Sequence, residues 1–198
     1  MTTLFVNGQA STPSGLKVAP QSYAALEQVA EQLRQYLPLV EGERFRIDCV
    51  RVLEQTLPQS GFQLRVAETE EIDNCAAFTI PDMGVVVFRE DVYDLLHAEN
   101  VYGRSTVIHE LSHIVLRHSV TLHRGANLGQ HKFYEDSEWQ AKSLTAAIMM
   151  PIDACKIASS PEDLASMCGT SVQASIYRLQ RLVKDGIISP EKTLWEEL

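Results

Sequence analysis

The spacing of apolar residues changes twice along this chain, and neither an all-helical nor an all-strand fold accommodates both patterns. From Ser22 onward, Leu26, Val29, Leu33 and Leu37 recur three and four residues apart, which predicts a helix that Pro38 closes. Cys49, Val50, Leu53 and Leu57 predict a second helix, ending at Pro58. The period then drops to two. Phe62, Leu64 and Val66 alternate with Gln63 and Arg65, as in a half-buried strand. Cys75 to Ile80 reads as a second strand and Val85-Val86-Val87-Phe88 as a third, joined by the turn residues Pro81-Asp82-Met83-Gly84. A small antiparallel sheet is expected from them.

The helical period then returns. A short helix is predicted from Asp91 to Ala98, and another from an N-cap near Ser105. The polar stretch 119–134 reads as a loop, followed by a strong helix from Ser137 to Met149 that stops before Pro151. Ser160-Pro161-Glu162-Asp163 combines an N-cap, a first-turn proline and an acid three residues after the cap. Cys168-Gly169-Thr170-Ser171 is a turn and a new cap, after which Val172, Ile176, Leu179 and Val183 trace one helical face up to Gly186. Two short helices about a Gly-containing turn resemble a helix-turn-helix. The expected organisation is an N-terminal arm over 1–20, a core over 21–150, and a C-terminal helical region over 151–198 packed on that core.

The chain has 198 residues, 45% of them hydrophobic and 22% charged, enough to bury a core without metal or disulfides. A metal site in such a chain is expected to be catalytic rather than structural. The formal net charge of −9 argues against a surface for nucleic acid or anionic membrane, which needs a basic footprint. Residues 151–198 hold five Lys or Arg against seven Asp or Glu, so the C-terminal helices do not read as a DNA-binding module. Cys49, Cys75, Cys155 and Cys168 form no C-x-x-C pair. The first residues lack a basic, then apolar, signal pattern, and no stretch is apolar enough for a membrane helix. A cytoplasmic protein with free, mostly buried thiols is expected.

The chemistry lies in His109-Glu110-Leu111-Ser112-His113. On a helix His109 and His113 stand one turn apart on one face and can bind a single Zn²⁺, while Glu110 lies about 100° round the axis, within reach of a water on that ion. This is the H-E-x-x-H arrangement, with two ligand histidines and a glutamate base. Val107, Ile108, Leu111 and Val115 give the helix an apolar lining. A catalytic zinc needs a third protein ligand. Leu116 and Ser119 stand where a metzincin requires Gly and His, which excludes that class. His118 falls about 140° from His113 and reads as a residue behind the ligands. Glu138 is the better candidate, with Glu135 and Asp136 competing. Ala141 and Thr145 on the same helix are small enough for a neighbouring helix to approach closely.

The stretch from Ser105 through His109-Glu110-Leu111-Ser112-His113 to His118, followed by Glu138, Ala141, Ala146, Ala147 and Met149-Met150-Pro151, resembles the ImmA/IrrE family of metallopeptidases. The likeness in organisation covers residues 40–185, and Thr170-Ser171-Val172 with Tyr177-Arg178-Leu179 resembles the helical region that often follows in that family. The family commonly has Gly at the Ser112 position, Asn at Lys142 and Phe near Leu144. Lys142 stands one turn after Glu138, where an inward-pointing ammonium would oppose a metal ion.

The resemblance implies an α+β fold with a zincin-like helical core. It also implies that Glu138 is the third ligand beside His109 and His113, that Glu110 is the base, and that a helix-turn-helix transcriptional repressor is cleaved to switch on stress, phage or mobile-element genes. The cofactor expected is one Zn²⁺, although a His, His, Glu site also accepts other divalent ions. An edge of the sheet offers a place for an extended substrate segment to pair. A second electrophile is expected, with His131 and Tyr134 as the candidates. The alternative reading, motivated by Lys142, is a binding protein that sequesters a repressor or toxin without cleaving it.

Overall fold

The computed structural model describes residues 4–6, 9–11, 15–72, 75–118 and 131–191. The fold is mixed α+β, mostly helical, with a small three-stranded sheet. Near the N-terminus β1 (Leu4–Val6) pairs antiparallel with β2 (Gln9–Ser11). Helix α1 (Tyr23–Arg34) starts where its sequence signal lies: the Ser22 side chain accepts a hydrogen bond from Ala25 N. The next helical stretch runs through α2 (Cys49–Arg51), a π-helical turn (Val52–Thr56) and α3 (Leu57–Gln59). It ends within one residue of the expected Pro58, which lies in the last turn of this continuous stretch directly after the π-helical turn.

Strands β3 (Gln63–Ala67), β4 (Ala77–Ile80) and β5 (Val85–Arg89) lie close to their expected positions, but the sheet is mixed, not antiparallel. Its order is β3-β5-β4: β5 pairs parallel with β3, Gln63 opposite Val85, and antiparallel with β4, Ile80 opposite Val85. The reason is burial. Val86, Val87 and Phe88 are at most 4% exposed, so this continuously apolar strand takes the centre, whereas β3 is largely exposed and lies at an edge. The hairpin between β4 and β5 turns on Gly84, whose left-handed φ of 61° suits glycine.

Helices α4 (Glu90–His97) and α5 (Val101–Val115) follow. The N-cap of α5 is Asn100, whose side chain accepts from Tyr102 N, not Ser105. Ser105 is inside the helix and its hydroxyl donates to Tyr102 O. Gly103 lets α5 cross α4 in backbone contact, since a Cβ there would lie 2.4 Å from Leu96 N. Residues 119–130 of the expected loop lie outside the described residues. After a 3-10 turn (Phe133–Glu135), α6 (Ser137–Met149) has the expected span, capped by Asp136. Helices α7 (Ile152–Ile157), α8 (Pro161–Cys168) and α9 (Val172–Lys184) complete the described chain, with Ser160 and Ser171 capping the last two as expected.

One apolar cluster joins these layers. Leu26, Leu53, Phe88, Leu96, Ile108, Leu144 and Ile148 belong to it, and so do Leu164, Cys168, Leu179 and Leu182 from the C-terminal helices. Two buried arginines fasten those helices. Arg104 of α5 donates to the carbonyls of Ile47 and Gly169 and to Glu99. Gly169 has a left-handed φ of 66°, and a Cβ there would sit 2.7 Å from the Arg104 guanidinium. Arg178 of α9 forms a two-pronged pair with Glu27 of α1 and donates to Met150 O, the main-chain acceptor just past α6. No helix among the described residues is long and apolar enough to cross a membrane.

All four cysteines are free. Burial pushes the Cys49 and Cys168 thiols up to about 12 and Cys155 up to about 11, whereas Cys75 is exposed. Alkylation of the native protein at neutral pH should therefore label Cys75 first, with the other three following only after unfolding. Peptide mapping that finds Cys155 or Cys168 labelled as fast as Cys75 would contradict this packing.

Candidate metal centre

Helix α5 turns one face to the core and the next face to a cleft. Val107 and Ile108 are fully buried, and Leu111 nearly so, which fixes the rotation of the helix. His109 and His113, half-buried, then emerge together at the cleft. Helix α6 brings Glu138 to meet them from its first turn, where the free N–H groups favour a carboxylate. His109 Nε2 lies 3.1 Å from His113 Nε2 and 3.3 Å from Glu138 Oε2, and His113 Nε2 lies 3.4 Å from Glu138 Oε1. Four ligands set tetrahedrally around zinc at 2.0–2.1 Å stand about 3.3–3.4 Å apart, so these separations fit three corners of such a shell. The donor set, two imidazoles and a carboxylate, suits a divalent ion that keeps an open position. The imidazoles of His109, then His113, hold the Glu138 carboxyl well below the ordinary carboxylate range.

The competing acids have other partners. Asp136 Oδ1 caps α6 at Trp139 N, and its Oδ2 accepts from Gly15 N and meets His131 Nε2 at 2.9 Å. Glu135 accepts from Lys132 N and pairs with Lys17. Neither is grouped with His109 and His113. The main chain leading into α1 supports Glu138 from behind: Leu16 N donates to Ser137 Oγ, Ser137 N donates to Leu16 O, and a Cβ on Gly15 would lie 2.6 Å from Glu138 N.

Glu110 is 5% exposed, and its Oε2 accepts a 2.7 Å hydrogen bond from Thr79 Oγ1 on β4. Burial pushes this carboxyl up, opposed by the Thr79 hydroxyl and the two nearby imidazoles. His118 is not a ligand: its Nδ1 meets His113 Nδ1 at 3.0 Å and its Nε2 meets Gln140 Oε1 at 3.0 Å. Burial pushes its pKa down, which favours the neutral ring. The centre opens into a cavity of about 720 Å³ walled by β4, α5, α6 and the start of α9, among them Thr79, Tyr102, Lys142, Met150 and Ser171.

One expectation changes here, and an open question about Lys142 is answered. His131 and Tyr134 do not line this cavity; His131 is buried against Asp136, and Tyr134 borders a separate cleft with Tyr23 and Trp139. Lys142 stands on the cavity wall but is exposed, so water screens its charge from the centre. Sequence reasoning also missed Thr79, Gln140 and Gly15. The first two are ordinary polar residues whose role depends on partners far along the chain, and Gly15 looks like a common turn residue.

No family model matches this chain, and no curated protein matches it. Among solved structures it is similar in fold to a Mycobacterium tuberculosis transcriptional regulator, with a TM-score of 0.50 and 14% sequence identity. The likeness covers 78% of this chain and 46% of that one, so the present chain spans less than half of the regulator's length.

A metal held at this centre should stabilise the fold. Free zinc at about 1,000 times its dissociation constant adds about 4 kcal/mol, and for a chain of this size that is a melting-temperature rise on the order of 10 °C. Scanning calorimetry of chelator-treated and zinc-replete protein should show this rise. Glu138→Ala and His113→Ala should lose it; an equal rise in both variants would place the ion elsewhere.

Proposed function

We propose that this chain is a cytoplasmic zinc endopeptidase that cuts a helix-turn-helix transcriptional repressor, the role implied by its resemblance to the ImmA/IrrE family. The observation that carries the reading is the pairing of a three-ligand cluster with a separately anchored, buried carboxylate on one cavity wall. A structural metal site needs no such additional, non-ligating carboxylate. The fold neighbour is itself described as a transcriptional regulator, which agrees with a role in gene control.

A zinc ion bound by His109, His113 and Glu138 would supply a Lewis acid that polarises a carbonyl and acidifies a water. The work of the protein's own groups follows from their placement. Thr79 occupies one oxygen of Glu110 and so orients the carboxylate, leaving the other oxygen to accept a proton from water. As the C–N bond breaks, Glu110 returns that proton to the leaving amine, and the water's oxygen remains on the new carboxyl group. Burial of Glu110 raises its basicity and suits it to both transfers. Among the described residues strand β4 lies at an edge of the sheet, and Ala76, Ala77 and Phe78 line the cavity, so an extended peptide pairing there would bring its carbonyl to the centre. Lys142 and Tyr102 stand on the same walls as donors for substrate oxygens.

Glu110→Gln decides between cleavage and sequestration. Removing a general base costs about 10²–10⁴-fold in rate. The zinc-loaded protein should be incubated with a bacterial lysate and the newly formed protein N-termini sequenced. The native enzyme should generate new termini within a helix-turn-helix protein, and Glu110→Gln should lose them while retaining zinc. Identical termini from both would refute the enzymatic reading. Capture of the same protein uncut by both would favour the binding one.

A further inference from the structure

We propose that Gln140 and His118 are positioning residues that set the tautomer of the ligand His113, through a hydrogen-bond chain starting at the main-chain carbonyls of Ala19 and Tyr134. The inference rests on the reading of His109, His113 and Glu138 as a metal centre. It follows from counting donors and acceptors. Gln140 is 1% exposed, and one of its amide ends lies 2.7 Å from Ala19 O and 2.8 Å from Tyr134 O. Carbonyl oxygens only accept, so that end is the NH₂ group and the other end, Oε1, is an acceptor.

His118 Nε2 lies 3.0 Å from that oxygen and must donate to it. In a neutral imidazole the second nitrogen is then an acceptor. His118 Nδ1 is therefore a lone pair, and it lies 3.0 Å from His113 Nδ1. His113 must carry its hydrogen on Nδ1, which leaves its Nε2 lone pair directed at His109 and Glu138. A ligand histidine whose other nitrogen is held by a partner is oriented and made a better donor, and losing such a partner typically costs about 10–100-fold in metal affinity. Because Ala19 precedes α1, the chain also ties the metal centre to the segment that braces Glu138.

The test uses the full chain labelled with ¹⁵N on histidine. Long-range proton–nitrogen correlation of the metal-free native protein should show His118 as the Nε2–H tautomer and His113 as the Nδ1–H tautomer. In Gln140→Leu and His118→Phe the His113 signal should move toward the Nε2–H form. Zinc affinity, read by competition with a chromophoric chelator, should fall about 10–100-fold. His113 carrying its hydrogen on Nε2 in the native protein would overturn the proposal, even if a variant fails to fold. So would unchanged zinc affinity in both folded variants. A native protein that binds no zinc but shows the expected tautomers would instead sink the metal reading and leave the hydrogen-bond chain standing.

Discussion

The close crossing of α5 and α6 is the constraint on which the centre depends. His109 and His113 stand on one helix and Glu138 on the other, so the geometry of this group is set by the distance between helix axes. Small side chains set that distance. Ser112 is fully buried, folds its hydroxyl back onto Ile108 O at 2.7 Å and lies 3.2 Å from Thr145 Oγ1. Ala141, also fully buried, lies on the same helix one turn before Thr145. A larger residue at any of these positions would drive the helices apart and open the triangle of ligand atoms. Ser112 and Thr145 also direct their hydroxyls to carbonyls one turn back, which satisfies two polar groups without loosening the contact.

Around this crossing, a few specific contacts hold the neighbouring elements. Gly103 brings α4 against the first turn of α5, and Arg104 links that turn to Ile47 and Gly169. Arg178 ties the end of α6 to α1. The segment before α1 presses on Glu138 through Gly15 and Leu16. The two carboxylates of the centre then experience opposite environments. Glu138, beside two imidazoles, is held ionised, whereas Glu110 is buried and drawn toward the proton. Such a split between neighbouring acids is what the proposed roles, Glu138 as ligand and Glu110 as proton carrier, require.

Much of this was legible in the sequence because it is local. Helix caps at Ser22, Ser160 and Ser171, the span of α6, and the placing of His109 and His113 on one face all follow from short-range rules. What was not legible depends on partners distant in sequence. The parallel pairing of β3 with β5 arises because β4, though second of the sheet's three strands in sequence, yields the central slot to a more apolar strand. Asn100 took the N-cap expected near Ser105, since α5 extends a full turn further back than its apolar pattern suggests. The choice of Glu138 over Glu135 and Asp136 was likewise open to spacing alone. In the fold Glu138 is the acid grouped with His109 and His113, while hydrogen bonds occupy the other two elsewhere.

The claim at the heart of this account is that His109, His113 and Glu138 hold one ion together. X-ray absorption at the zinc edge of the stoichiometrically loaded protein tests it most directly. The account predicts a shell of four light atoms at about 2.0–2.1 Å, with the outer-shell scattering of two imidazoles. A shell of about six oxygens without imidazole scattering, or a sulfur at about 2.3 Å from a cysteine, would contradict it.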